Sequence, residues 1–358
     1  MMMRIGCCIT PHGFGHAARA CAVMEALSEQ CQVCFEIVTT VPEWFFAESL
    51  TAPYTLHSIS CDVGLVQRNS LQEDLGRTIE LLDCFYPLDR KLVDRVAALF
   101  GDCELVICDI APLGIAAAQR AGVVSVLVEN FTWDWIYRSY LAQWPGFNAH
   151  IGYLQQLYRE ADYHLQAAPV CKPEQCDLLI SPIARQGRQD PSGIRERLRV
   201  TATDILVLVT MGGVPGTELP LARMASMNQC FILPGQAGEE MVVRGNLRLL
   251  PPNSGIFHPD LVAACDAVIG KVGYSTLAEV YRAGVPFGYI CRPGFPESPP
   301  LAAFINREMV SMEITWELFQ NNSWLDKIPE LCRLVPDRNR RENGAKAAAA
   351  FLVDILES

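Results

Sequence analysis

The chain has 358 residues, 50% of them hydrophobic, and carries 29 lysines and arginines against 40 aspartates and glutamates, a net charge of −11. That length exceeds what one growing core supports, so two domains are expected. The acidic balance excludes a general nucleic-acid binder, which presents a basic face, but leaves room for a local basic pocket.

The 15 cysteines are an odd number, and many lie in apolar runs (Cys7, Cys8, Cys34, Cys108), where a free thiol behaves as a small hydrophobe. Neither Cys31–Cys34 nor Cys171–Cys176 is followed by a second pair at zinc spacing. No metal site and no disulfide is expected, as in a reducing cytosol. The apolar run at the N-terminus is too short for a secretory signal, and no run reaches the about 18 apolar residues of a membrane span. A soluble, cytoplasmic protein without a transmembrane segment is the expectation; the composition says nothing of its oligomeric state.

In chain order, Arg4–Thr10 reads as a strand that runs into Pro11-His12-Gly13-Phe14-Gly15-His16 and then a helix over 17–30, with Arg19 in its first turn. The two glycines make a tight strand–helix loop that presents two histidines. Strands follow at 33–39 and 54–60, with a short helix between them at 44–50. A mostly helical stretch, 71–100, is interrupted near Pro87. Glu104–Cys108 is a buried strand ending at Asp109, and Pro112 opens the next helix, as proline does well in a first turn. A strand over 123–128 leads to Asn130 and the run Phe131-Thr132-Trp133-Asp134-Trp135-Ile136-Tyr137. That run is either the aromatic start of a core helix or a platform on which a sugar stacks, bonded to Asp134.

A polar stretch, 181–200, reads as a linker into a short basic helix. The strand–helix alternation then restarts: a strand over 205–210 with Gly212 and Gly213 after it, strands at 230–233 and 247–250, and Ile256-Phe257-His258 before a helix to Ala264. Ala267-Val268-Ile269 is a strand that runs through Gly270, Lys271, Gly273, Ser275 and Thr276 into a helix with Glu279 in it. A helix that starts straight after a glycine turn aims free N–H groups and a positive dipole end at a phosphate. Glu279, one turn in, suits two neighbouring ribose hydroxyls, although the same spacing also fits an ordinary turn with a capped helix. Phe287–Ile290 is a further strand, followed by Arg292, Glu297 and Ser298, and the last helix spans about 339–356.

The alternation is that of parallel sheets with helices on both faces, whose ligands gather at the loops after the strands' carboxyl ends. Two such doubly wound, Rossmann-like α/β halves resemble the GT-B fold of nucleotide-sugar glycosyltransferases. ITPHGFGHAAR, LVICDIAPLGIAAAQRAGVVSVLVENFTWDWIY and AVIGKVGYSTLAEVYRAGVPFGYICRPGFPE resemble the glycosyltransferase-like domain at the N-terminus of plant L-arabinokinases and its stand-alone bacterial relatives. The layout around HPDLVAACDAVI is also similar to the N-acetylglucosaminyltransferase of peptidoglycan lipid synthesis and to natural-product glucosyltransferases. The resemblance covers nearly the whole chain and includes no kinase domain.

The resemblance implies an acceptor domain at 1–183, a nucleotide-sugar donor domain at 184–337, and a helix at 338–358 leaning back on the first domain, with a central cleft between the halves. It implies that Gly212, Gly213, Gly273, Ser275 and Thr276 meet a diphosphate, Glu279 a ribose, Phe257 and His258 a nucleobase, and Glu297 sugar hydroxyls. Glu297 is followed by Ser-Pro-Pro rather than by the glutamine or asparagine usual in the wider group. With no Asp-x-Asp motif, metal-independent transfer is expected. Helix N-termini, Lys271 and a cation at Arg19 or Arg292 then meet the leaving diphosphate, and no cofactor beyond a co-substrate, a UDP-linked sugar, is implied.

Chemically, an acceptor hydroxyl attacks poorly unless a base takes its proton. His16 is the expected base, oriented by Asp109 as an acid orients the histidine of a triad, with His12 the second choice. His12, Asn130, Trp133 and Asp134 are the expected acceptor contacts. The functions this leaves are a glycosyltransferase, a nucleotide-sugar epimerase or hydrolase on the same fold, and a non-catalytic nucleotide-sugar-binding protein or partner subunit.

Overall fold

The computed structural model describes residues 2–69, 71–212, 218–339 and 341–358. The chain divides into two compact units: Met1–Gln67 with Glu73–Ala184 and Glu342–Ser358, and Arg68–Gln72 with Arg185–Arg341.

In the first unit lie β1 (Met3–Ile9), β2 (Val33–Thr39) and β3 (Tyr54–Ser58). A two-stranded ribbon follows, β4 (Gln67–Asn69) with β5 (Gln72–Glu73), and then β6 (Leu105–Asp109), β7 (Val124–Glu129), β8 (Tyr163–Ala167) and β9 (Leu178–Ile180). The main sheet has the order β3-β2-β1-β6-β7-β8-β9, and its strands pair in parallel. β6 is buried at every position, which suits a parallel strand covered on both faces.

The second unit contains β10 (Leu206–Thr210), β11 (Cys230–Pro234), β12 (Val242–Arg244), β13 (Leu247–Leu250), β14 (Ala267–Lys271), β15 (Phe287–Ile290) and β16 (Ser311–Glu313). Their order is β12-β13-β11-β10-β14-β15-β16, parallel except for the antiparallel edge strand β12. Each sheet therefore grows outward in one direction from its first strand and then crosses back to grow in the other. The reversal falls between β1 and β6 in one sheet and between β10 and β14 in the other. Such a switch point opens a crevice at the strands' carboxyl ends, because the connections on its two sides leave in opposite directions.

Several expected boundaries move for local reasons. The stretch expected to be helical from residue 71 gives helices Leu75–Phe85 and Arg90–Phe100; Asp74 caps the first, accepting from the Arg77 N–H at 3.1 Å. Leu71 is instead buried in the core of the second unit, with Val209, Met211 and Phe231. The strands β8 and β9 have no forecast counterpart. The last helix is Gly344–Glu357, started by Asn343, whose side chain accepts from the Ala345 N–H. That helix packs on helix Gly15–Ser28. Ala345, Ala348 and Ala349 line its buried side, and Ala17, Ala18, Ala20 and Ala22 are buried on its neighbour, so two small-residue faces meet. Gly15–Ser28 is buried nearly all round, as expected of a helix held between a sheet and another helix.

Immediately after β6, Ile110 adopts φ +41°. A β-branched residue in the left-handed region is uncommon and costs about 1–3 kcal/mol. The surroundings fix it there: Ile110 is fully buried, bridges Ile9, and accepts the Tyr158 hydroxyl at 3.1 Å.

Candidate active site

The first switch point carries a buried polar cluster. His16 lies in the first turn of helix Gly15–Ser28, after β1, and Asp109 ends β6, paired in register with Ile9. His16 Nδ1 is 2.9 Å from Asp109 Oδ1. Arg19, one turn further along the helix, spans the same carboxylate, with Nε on Oδ2 at 2.8 Å and Nη2 on Oδ1 at 2.6 Å. Its Nη1 donates to Asn130 Oδ1 at 2.6 Å. Asp109 and Asn130 are 0% exposed and Arg19 1%, so this is a two-pronged guanidinium–carboxylate pair removed from water. Burial pushes the Asp109 carboxyl up, but the Arg19 cation and the His16 hydrogen bond outweigh it and hold the group below its usual range. Asp109 is therefore an ionised acceptor, and the short contact to His16 requires the proton on Nδ1. The lone pair of His16 is then on Nε2, the arrangement a general base needs.

The surroundings separate the expected acceptor contacts. His12 accepts at Nδ1 from the Leu65 N–H at 3.4 Å, so its neutral form carries the proton on Nε2. His16 has an acid, Asp109, fixing the complementary tautomer. Trp133 is fully buried, edge-on to His12 at 5.0 Å, tilted on His16 at 6.2 Å and stacked on Tyr137 at 5.9 Å. The indole packs against both histidines of the first loop. The Asn130 carbonyl oxygen accepts from Arg19 Nη1. Asp134, in the first turn of helix Trp133–Arg138, is 3% exposed, which removes it from solvent. Arg19 is corrected as a diphosphate cation, because its fork is committed to Asp109.

One residue of this neighbourhood was not anticipated. Asp62, 4% exposed, accepts from Thr10 Oγ1 at 2.8 Å, Tyr86 Oη at 2.9 Å and the Val63 N–H at 2.8 Å. Burial pushes its carboxyl up, although these donors pull the other way. It ties the segment after β3 to the end of β1. Nearby, Gly64 at φ +62° lies where an added Cβ would be 3.0 Å from His12 and 3.1 Å from Trp133, and its carbonyl accepts the Tyr137 hydroxyl at 2.6 Å.

The second switch point is built of glycines. Gly212, at φ +77° after β10, lies under the stem of Lys271 from β14, with an added Cβ 2.8 Å from Lys271 Cε. Gly270 packs against the Thr210 carbonyl, which an added Cβ would approach to 2.6 Å. Gly273 precedes helix Tyr274–Ala283 without a side-chain cap, and an added Cβ there meets no atom within 4 Å. Ser275 and Thr276 are half-buried in the first turn. Gly213 lies outside the described residues.

Glu279, in the same helix, is 4% exposed. Its Oε1 accepts from Arg185 Nε at 2.9 Å and its Oε2 meets His258 Nδ1 at 2.6 Å. Burial raises its carboxyl, but Arg185 and His258 more than offset that and hold it below the usual value. Both oxygens that the sequence assigned to a ribose already have cationic or N–H partners. The Phe257 ring is 6% exposed, with the guanidinium carbons of Arg185 and Arg188 4.9 and 4.7 Å from its centroid. His258, half-buried, keeps an exposed edge. Glu297, 7% exposed, precedes helix Ser298–Glu308 without a side-chain cap bond to it. Arg292, 4% exposed, stacks on Phe295 with 3.2 Å to the ring centroid.

No family model matches the chain. L-arabinokinase of Arabidopsis thaliana is 26% identical over 96% of this chain, and the chain spans only 33% of that relative's length. Among solved structures, the glycotransferase of kitacinnamycin matches over 99% of this chain and 95% of its own, with a TM-score of 0.60 at 14% identity. Spinosyn forosaminyltransferase SpnP covers 100% and 96%, with a TM-score of 0.58 at 15% identity. A UDP-glucosyltransferase from Polygonum tinctorium capable of glucosylating indoxyl covers 100% and 99%, with a TM-score of 0.58 at 13% identity. The fold is GT-B.

Among the described residues of this GT-B chain no cluster of three or more His, Cys, Asp or Glu side chains is placed to hold a metal ion, and no helix is long and apolar enough to cross a membrane. The open space at Gly273 gives a prediction. Its φ of −156° is ordinary extended backbone, so Gly273→Ala meets no strain and is expected to leave stability unchanged or raise it by about 0.4–1 kcal/mol. If a diphosphate approaches this backbone, the same methyl group weakens nucleotide binding at least tenfold. Calorimetry with UDP on the variant reads both quantities; unchanged affinity shows that nothing docks against Gly273.

Proposed function

We propose that the chain is a metal-independent glycosyltransferase that moves a sugar from a nucleoside diphosphate sugar, UDP-linked, to an acceptor hydroxyl. The observation that carries this reading is the His16–Asp109 contact at 2.9 Å, set at the switch point of the first sheet with the lone pair on Nε2. In the reaction, the acceptor oxygen forms a bond to the sugar's anomeric carbon while its proton passes to His16 Nε2. The bond from that carbon to the diphosphate oxygen breaks, and the electron pair leaves with the diphosphate. The helix start at Gly273, with Ser275, Thr276 and Lys271, is suited to hold that charge. Preorganised donors of this kind are usually the largest part of catalysis. The names of the structural neighbours, which include a UDP-glucosyltransferase, support the choice of donor.

A panel of nucleoside diphosphates and their sugars, followed by thermal shift, tests the donor half, since a ligand that binds only the native state raises stability by RT ln(1 + [L]/Kd). Stabilisation by UDP and a UDP-sugar, followed by release of UDP in the presence of hydroxylated acceptors, is the expected result. Binding with no UDP release against any acceptor would turn the reading towards a non-catalytic nucleotide-sugar-binding protein.

A further inference from the structure

We propose that Arg19 is a positioning residue which keeps His16 neutral and fixes its proton on Nδ1. The inference rests on the reading of His16 as the base and adds a component that a histidine–aspartate pair alone lacks. Asp109 accepts from two sides: His16 Nδ1 at 2.9 Å, and Arg19 through Nε at 2.8 Å and Nη2 at 2.6 Å. Arg19 Nη2 also lies 3.2 Å from His16 Nδ1. The shorter, charged contact selects between the two tautomers these distances allow. The Nη2 hydrogen goes to Asp109 Oδ1, the closer and charged acceptor, and His16 Nδ1 donates to the same oxygen. With the proton on Nε2 instead, the bare Nδ1 would face an ionised carboxylate.

The charges follow. Arg19 and Asp109 sum to zero, so His16 sits beside a neutral pair rather than a free anion. Protonating the ring would place a second positive charge 3.2 Å from a buried guanidinium, which is strongly unfavourable away from water. Phe131 and Trp133, from the segment after β7, are uncharged neighbours of the ring at 5.8 and 6.2 Å, and Asn130 is a neutral partner of Arg19. Arg19 thereby trades some stabilisation of the imidazolium formed in the reaction for a base that is unprotonated and correctly oriented at rest.

Nitrogen-15 spectra of the full chain labelled at histidine test this without any substrate, with the His16 signal assigned by its loss in His16→Gln. In the wild type at neutral pH the expected ring is neutral, protonated on Nδ1. In Arg19→Met, Asp109 loses its counter-charge and the expected ring is mostly imidazolium, a gain in proton affinity of at least tenfold. Arg19→Lys returns a cation and is expected to return a neutral ring. A wild-type ring that is charged or protonated on Nε2, an Arg19→Met ring that stays neutral, or an Arg19→Lys ring charged like the methionine variant's would each overturn the proposal. Should Arg19→Met fail to fold, Arg19→Gln, which removes the charge but keeps a hydrogen-bond donor, is read in its place with the same expected outcome. Because the readout is the ring itself, a protein with the expected spectra and no transferase activity would sink the proposed function and leave the role of Arg19 standing.

Discussion

Replacing His16 by alanine is expected to abolish sugar transfer while leaving donor affinity within about twofold of wild type. A positioned general base contributes about 10²–10⁴-fold in rate, and His16 belongs to the first unit, whereas the glycine turns and Lys271 belong to the second. The separation is what makes the test sharp: kcat should collapse and binding of UDP should not. Asp109→Asn should fall between, because the amide keeps the shape of the carboxylate but removes the charge that Arg19 Nε and Nη2 pair with. A His16→Ala enzyme that transfers at near wild-type rate would remove His16 as the base. His12 would then be the next residue to test, although its Nδ1 already accepts from Leu65.

The second large effect is on stability. Glu279→Ala is expected to destabilise the second unit by about 3–5 kcal/mol, the usual consequence of leaving a buried cation without its partner. Arg185 is the cation, with 7% of its side chain exposed against 2% for Glu279. The pH dependence has a definite sign. The Glu279 carboxyl is held below its usual value, so its contribution is complete above the unfolded carboxylate range, near ~4.3, and is lost as pH falls through the lower folded value. Asp109, also depressed, acts in the same direction in the first unit. Scanning calorimetry between neutral and acid pH should show the wild type losing stability on the acid side and Glu279→Ala starting lower with a flatter acid limb. Unchanged melting accompanied by loss of UDP affinity would mean that the carboxylate serves a ligand and not Arg185.

How far the sequence reached can be followed residue by residue. His16 and Asp109 were legible because a residue at the carboxyl end of a parallel strand has few places to point, and β1 and β6 are neighbours. Arg19 was visible but misassigned. Its partners Asp109 and Asn130 are 90 and 111 residues away, and nothing in local spacing reveals that a cation will be consumed by a distant carboxylate. The same holds for Arg185, which sits in a stretch read as a polar linker yet closes on Glu279 94 residues later. Trp133 carried a readable clue: Tyr137 is four residues on, one helical turn, so the two rings had to share a face and form a stack. Asp62 carried none, since a single aspartate between strands has no spacing to interpret.

The packing of the last helix against Gly15–Ser28 has a consequence for biosynthesis. The helix bearing His16 and Arg19 is synthesised before every element of the second unit, and Gly344–Glu357, which packs on it, is synthesised after them. Until that later helix emerges, the alanine-rich face of the earlier one lacks its native cover, and transiently exposed apolar surface of this kind is what holding chaperones engage. Nascent chains stalled just before Gly344 should therefore stay chaperone-bound and protease-sensitive in their first unit, however complete their second has become.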